Sequence, residues 1–296
     1  MKTSLARRQQ RRLNGGRRRG GSAGRSAAIA FPLFLFGTLA ALALIGFIGV
    51  VGAYAYYSQG LDDPKQLEQI AFNQESVIYD RTGTVELARF GTERRQVAIF
   101  ADLSPQVLDA TTAVEDKTFW TNTGFDPVGI ISAAIDTIRG DSRGASTITQ
   151  QLVRQRPLDP ALVEDPNRKV ERKVKEIIQS IRLTEAFPGL DGKQRIITAY
   201  LNQNYYGNGS YGVLTAARNY FGVDNLQELT LGQVALLAAL PQSPSSYDLV
   251  RNAVKGSDGQ LYVPLDESIP VVARRNYILD LLANDPTRRC AIHAGG

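Results

Sequence analysis

This chain of 296 residues holds one cysteine, Cys290, and one histidine, His293, both beside its C-terminus. One cysteine cannot close an intramolecular disulfide, and the two together cannot build a Cys/His metal cage or a Ser-His-Asp triad. The chemistry is left to carboxylates, amides, hydroxyls and cations, and any metal would be a hard, oxygen-preferring ion such as magnesium. Charge is missing too: from Ser26 to Leu61 no side chain carries any. Within that stretch Ala30–Val51 is almost wholly apolar, longer than the ~20 residues that cross a bilayer. No internal repeat is present.

With 43% hydrophobic residues the chain can bury one sizeable core. The net charge of +5 is misleading until its location is known. Residues 1–26 carry nine Lys or Arg and no acid, leaving 25 basic against 29 acidic side chains in the mildly acidic remainder. A basic tail before an apolar span predicts a retained membrane anchor with its N-terminus cytoplasmic and everything after Leu61 outside. Tyr54, Tyr56 and Tyr57 fit an interfacial aromatic belt better than a signal-cleavage site. The tail is read as topological, not as a nucleic-acid site.

Beyond the anchor, Ser76–Asp80 and Thr84–Phe90 flank Arg81-Thr82-Gly83, the pattern of a β-hairpin, and Arg95–Phe100 is read as a third strand. After Ser104 the spacing turns helical. Asp126-Pro127 opens a helix to Ile138, and Asp165-Pro166 opens one to about Phe187. In the latter, Val170, Val174, Ile177 and Ile181 recur at helical spacing and predict one buried stripe, with Arg172, Lys173 and Glu176 on the charged faces away from it. Further helices are expected at Lys193–Asn204, Gly212–Tyr220, Thr230–Leu240 and Val271–Leu282, with a loop at Arg251–Pro264.

Glu115 and Asp116 stand ahead of the run Gly144-Ala-Ser-Thr-Ile-Thr-Gln-Gln151-Leu-Val-Arg154. A carboxylate can take a proton from a hydroxyl, and a helix start rich in Ser, Thr and Gln offers neutral donors for sugar or phosphate oxygens. Taken alone, Glu115 could be solvated, the Ser/Thr/Gln run a helix cap, and Arg172, Lys173 and Glu176 a surface ion pair.

The residues together resemble the peptidoglycan glycosyltransferase domain of class A penicillin-binding proteins and monofunctional transglycosylases (glycosyltransferase family 51). The family's first motif, Glu-Asp-x-x-Phe-x-x-His-x-Gly-x-Asp, is matched by Glu115-Asp116-Lys-Thr-Phe119-Trp-Thr-Asn122-Thr-Gly124-Phe-Asp126. Asn122 stands in the histidine position, and an amide cannot relay a proton near neutral pH. Gly144–Gln151 is similar to the second block, with Arg154-Gln155 for Lys-Asn. Arg172-Lys173-Val-Lys-Glu176 resembles the third, Ala199–Gly212 with Tyr220-Phe221-Gly222 the fourth, and Leu229–Pro244 the fifth, with Gln233 where an acid is common. Turn and packing requirements account for most of the Tyr/Gly block.

The resemblance implies a mainly α fold: a lysozyme-like helical lobe with a smaller membrane-proximal jaw, a short N-terminal β-hairpin and one transmembrane helix. It implies polymerisation of lipid II into β-1,4 glycan, with inversion at the donor and release of undecaprenyl diphosphate. Glu115 is then the general base and Glu176 the second catalytic carboxylate, orienting the cations or holding a divalent ion. Asp116, Phe119, Thr147, Gln150, Gln151, Arg154, Arg172, Lys173 and Asn202 are the substrate-binding set. Mg2+ or Mn2+ is the only cofactor left open; no organic cofactor is implied. Partners are lipid II, the growing lipid-linked glycan, the bilayer and cell-wall assembly proteins. The helix from Asp126 to Ile138 is expected to rest Ile130, Ile131 and Ile135 on the membrane. Location is the cytoplasmic membrane, single-pass, with the catalytic domain outside.

The expected organisation is a tail over 1–26, an anchor over 27–57, a linker and hairpin region over 58–103, the glycosyltransferase domain over 104–250, and a loop, helix and linker over 251–296. No serine is followed by lysine three residues later, so transpeptidation is not expected of this chain. A partial class A chain is expected over a monofunctional enzyme. The rivals are a lytic enzyme on the same scaffold, with Glu115 as proton donor, and a non-catalytic lipid II-binding scaffold.

Overall fold

The computed structural model describes residues 22–65, 76–90, 94–138, 144, 146–156 and 158–285. Cys290, His293 and most of the basic tail lie outside the described residues. The chain divides into two units, one ending at Tyr56 and one starting at Tyr57.

The first unit holds all but the last residue of helix α1 (Ser22–Tyr57), in which Leu33–Tyr57 is a 25-residue apolar stretch of mean hydropathy 2.5. Phe34, Phe36, Leu42 and Phe47 are all more than half exposed. A helix apolar on every side has no reason to prefer water, and this one is long enough to cross a bilayer.

In the second unit β1 (Ser76–Tyr79) and β2 (Glu86–Phe90) form the expected antiparallel hairpin. Its turn is tied by Asp80, whose carboxylate accepts from the amides of Thr84 and Val85 at 3.1 and 3.2 Å. The third strand is a correction. β3 covers only Arg94–Arg95 and pairs in parallel with β4 (Ser210–Tyr211), not with the hairpin. Arg95 explains the difference: its buried guanidinium donates to the Asn202 carbonyl and lies 5.1 Å from the Tyr211 ring centre, which draws the segment to the helical body.

Helix α2 (Pro105–Glu115) starts at Ser104, whose hydroxyl accepts from the Val107 amide, with proline in the first turn where no amide proton is required. It is followed by α3 (Pro127–Ile138), α4 (Ile148–Gln155) and α5 (Pro160–Glu164). Then come α6 (Lys169–Ala186), entered through a 3-10 turn at Pro166–Arg168, α7 (Gly189–Gln203) and α8 (Val213–Phe221). The chain continues through α9 (Leu231–Ala239), α10 (Pro244–Tyr247) and α11 (Pro270–Asn284). The stretch expected to be a loop contains a small hairpin, β5 (Val254–Lys255) with β6 (Leu261–Tyr262). The architecture is mainly helical, with few short strands among the described residues.

Helix α4 packs against α6 and α7, and α9 against α2 and α11. Ile148, Leu152, Ile196, Ile197, Val234 and Ile278 are buried in the core between them. The expected stripe on α6 is overturned. Val170 is 76% exposed, while Glu176, Ile178, Gln179, Ser180 and Leu183 form the buried face. Local spacing identified an apolar row, but the face turned inward is the one whose polar groups find partners on α4.

Candidate active site

Glu115 is the last residue of α2, Asp116 follows as its C-cap, and α4 lies opposite. An open cleft of about 590 Å³ runs past Glu115, Asp116, Asp126, Ser146, Gln151 and Arg274. Gln151 Nε2 donates to Glu115 Oε2 at 2.8 Å, and Gln151 Oε1 accepts from the Tyr200 hydroxyl at 3.2 Å. The amide is therefore fixed in orientation, and Glu115 is held in place as an acceptor. Loss of water pushes the Glu115 carboxyl above its ordinary 4.5, opposed by the Gln151 hydrogen bond and the charge of Arg274. A half-buried carboxylate with one fixed donor and an open side toward the cleft is suited to exchange a proton with a bound hydroxyl.

The second cluster also hangs on α4. Arg154 donates to Glu176 from Nε to Oε1 at 2.6 Å and from Nη2 to Oε2 at 2.9 Å. Arg172 and Lys173 approach the same carboxylate at 3.4 Å each. Glu176 has no solvent exposure, so the expectation of a charged surface at this turn of α6 is corrected. Three cations around one carboxylate leave a positive surplus. Desolvation comes first in lowering the Lys173 ammonium, with Arg154 and Arg172 adding to it against Glu176. Lys173 also donates to Ser146 Oγ at 2.8 Å and Gln150 Oε1 at 3.0 Å. Because Gln151 and Arg154 lie three apart on α4, one helix turn carries the contacts to both carboxylates.

The fit of a divalent cation at Glu176 fails on the donor set. Both carboxylate oxygens face cationic side chains, and no group of three or more His, Cys, Asp or Glu is gathered among the described residues.

Other expected residues have different places. Phe119 and Asn202 do not line the cleft. Phe119 is fully buried in the core, and Asn202 clamps Ala98, accepting from its amide at 2.9 Å and donating to its carbonyl at 2.8 Å. Thr147 is the N-cap of α4, accepting from the Gln150 amide and donating to the Gly124 carbonyl at 2.8 Å. Asp116 accepts from the Ile148 amide at 3.1 Å. The start of α4 is thus capped by Asp116 and Thr147, and both residues also line the cleft. Asn122 keeps a hydrogen-bonding role, its Nδ2 lying 3.0 and 3.1 Å from the two Asp116 oxygens.

Sequence reasoning missed Ser146, Arg274 and Tyr277. Ser146 was legible inside the second block. Arg274 and Tyr277 lie on α11, and only its packing against α2 brings them to the cleft, where Arg274 stacks 5.3 Å from the Tyr277 ring centre. The buried Arg274 Nε has no hydrogen-bond partner, leaving a donor beside Glu115.

Residues 83–280 match the transglycosylase family, and the chain belongs to it. Among curated relatives it is 38% identical over 204 residues to penicillin-binding protein 1A of Aquifex aeolicus, covering 68% of this chain and 26% of that protein. It is 34% identical over 262 residues to penicillin-binding protein 1A of Escherichia coli, covering 85% of this chain and 28% of the relative. A crystal structure of penicillin-binding protein 1A from Haemophilus influenzae aligns with 72% of this chain and 18% of its own at 21% identity and a TM-score of 0.33. The chain spans about a quarter of the length of these curated relatives.

Proposed function

We propose that this chain is a peptidoglycan glycosyltransferase that polymerises lipid II. The observation that carries the reading is the pairing on α4 of a cleft-facing carboxylate, Glu115, with a cationic cluster around Glu176. The acceptor is the disaccharide-peptide of lipid II, and the donor a glycan on the same lipid diphosphate. Glu115 takes the proton of the acceptor GlcNAc 4-hydroxyl as that oxygen forms its bond to MurNAc C1. The bond from C1 to the diphosphate oxygen breaks, its electron pair leaves with the diphosphate, and the α-linked donor becomes a β-1,4 linkage. A single inverting displacement requires no covalent enzyme intermediate. The leaving diphosphate is already acidic and needs positive charge more than a proton.

Arg154, Arg172 and Lys173 supply that charge, with Glu176 holding their geometry. Gln151 fixes Glu115, Ser146 and Asp116 add polar contacts at the cleft wall, and Gln150 acts through Lys173. Arg274 neutralises anionic groups of the incoming lipid near Glu115. The fold is read as a lysozyme-like lobe with a membrane-proximal jaw, residues 104–250 forming the catalytic domain. Val128 and Ile131 of α3, 73% and 62% exposed, suit the helix to the lipid surface. Ile130 is half-buried, and the side chain of Ile135 lies outside the described residues. The basic tail keeps the N-terminus cytoplasmic and the catalytic domain outside.

A raised Glu115 carboxyl also suits proton donation, which favours glycan cleavage as the second reading. One assay separates the two. The full chain in lipid vesicles is given lipid II and, separately, isolated cell-wall glycan. Chain growth that stops in E115Q supports synthesis; soluble fragments from the glycan with no chain growth overturn it.

A further inference from the structure

Lys193, on the first turns of α7, is 5% exposed and is absent from the five sequence blocks and from both clusters above. Its ammonium donates to Asn122 Oδ1 at 3.0 Å and lies 4.7 Å from the centre of the Phe119 ring. The same Asn122 oxygen accepts from the Gly124 amide at 2.9 Å. Two donors on the oxygen leave the amide one orientation, with its Nδ2 toward Asp116. Asp116 in turn accepts from the Ile148 amide, while Gly124 offers its carbonyl to Thr147, so both contacts end on the first turn of α4. Gly124 can make this approach only as glycine: its φ is +84°, and a Cβ would meet the Ser180 carbonyl oxygen at 2.3 Å.

We propose that Lys193 is a positioning residue for the reaction, holding Asn122, Asp116 and the start of α4 so that Gln151 and Arg154 meet their two carboxylates. The assignment rests on the glycosyltransferase reading for its effect on rate, though not for its effect on structure. Charge is what the site uses. An ammonium against a ring face, one hydrogen bond donated to an amide carbonyl, and Asp116 nearby make a desolvated cation whose field fixes the amide dipole. Burial pushes this lysine down to about 8, against the pull of Asp116. The chemistry also accounts for a neutral residue at position 122. An amide presents an acceptor to the lysine and donors to the carboxylate at the same time, which a charged imidazolium, a donor at both nitrogens, cannot do.

The test uses the full chain in lipid vesicles, with K193M, K193R, N122A and the double variant N122A/K193M. K193M is expected to lower kcat on lipid II about tenfold with KM little changed, the cost of losing one charge-assisted hydrogen bond through the network. K193R should recover most of that loss. The double variant should be no slower than N122A alone, because both act through one chain of contacts. Hydrogen exchange on the protein without substrate should show faster exchange at the Ile148 and Gln150 amides in K193M, and near wild-type protection in K193R. Additive losses in the double variant, or unchanged exchange in K193M, overturn the proposal. If K193M does not fold, K193R and N122A are compared in the same exchange measurement, where equal loss of protection overturns it. Failure of the catalytic reading shows separately, as turnover retained by E115Q with the exchange differences intact.

Discussion

Arg154 grips Glu176 with two parallel hydrogen bonds, 2.6 Å from Nε to Oε1 and 2.9 Å from Nη2 to Oε2, across the packed faces of α4 and α6. This two-pronged geometry belongs to a planar guanidinium and not to an ammonium. R154K keeps the charge and loses the second bond. It is expected to lower kcat/KM for lipid II about tenfold, read from initial rates of chain growth.

E115Q removes the carboxylate proposed to take the acceptor proton while preserving the side-chain shape and an acceptor for Gln151. Polymerisation should fall by a factor of about 10² to 10⁴. Circular dichroism and the thermal midpoint should remain those of a folded chain; turnover near the wild-type rate removes Glu115 as base.

The raised Glu115 carboxyl has a signed consequence for pH. Between 4.5 and its higher folded value the unfolded chain has released the proton that the folded chain still holds, so stability falls as pH rises through that window. E115Q lacks this loss. The variant should gain stability relative to wild type from acid to neutral pH in urea titrations, and the acid limb of wild-type kcat/KM should have its midpoint above 4.5.

Lys173 is tied to Ser146, Gln150 and Glu176, whereas Lys65 is exposed. K173A should therefore weaken turnover far more than K65A, and equal effects would favour an ordinary ion pair. An isothermal titration with undecaprenyl diphosphate should show the same order.

Asn202 gives the contrasting case. Its amide satisfies both backbone groups of buried Ala98, so N202A strands a donor and an acceptor at a cost of about 1–3 kcal/mol. Urea unfolding should register the loss while KM for lipid II stays near wild type. A large KM change without a stability change would return Asn202 to the substrate-binding set.

Much of this molecule is local and therefore legible in its sequence. The apolar run of α1, the Ser104-Pro105 and Asp126-Pro127 starts, and the hairpin closed by Asp80 depend on neighbours a few residues away. The ordered blocks around Glu115, Gln151 and Glu176 likewise carry the transglycosylase pattern in the chain itself, independent of packing. Burial depends on residues distant in the chain, and there the tertiary structure decided. Val170 stayed in solvent and Glu176 went inside, because Arg154, 22 residues earlier, meets it there. Arg274 reached the cleft by the packing of α11, and Lys193 found Asn122 from 71 positions away. A sequence displays which charges a chain owns, but their solvation and their partners are set only when the helices close on one another.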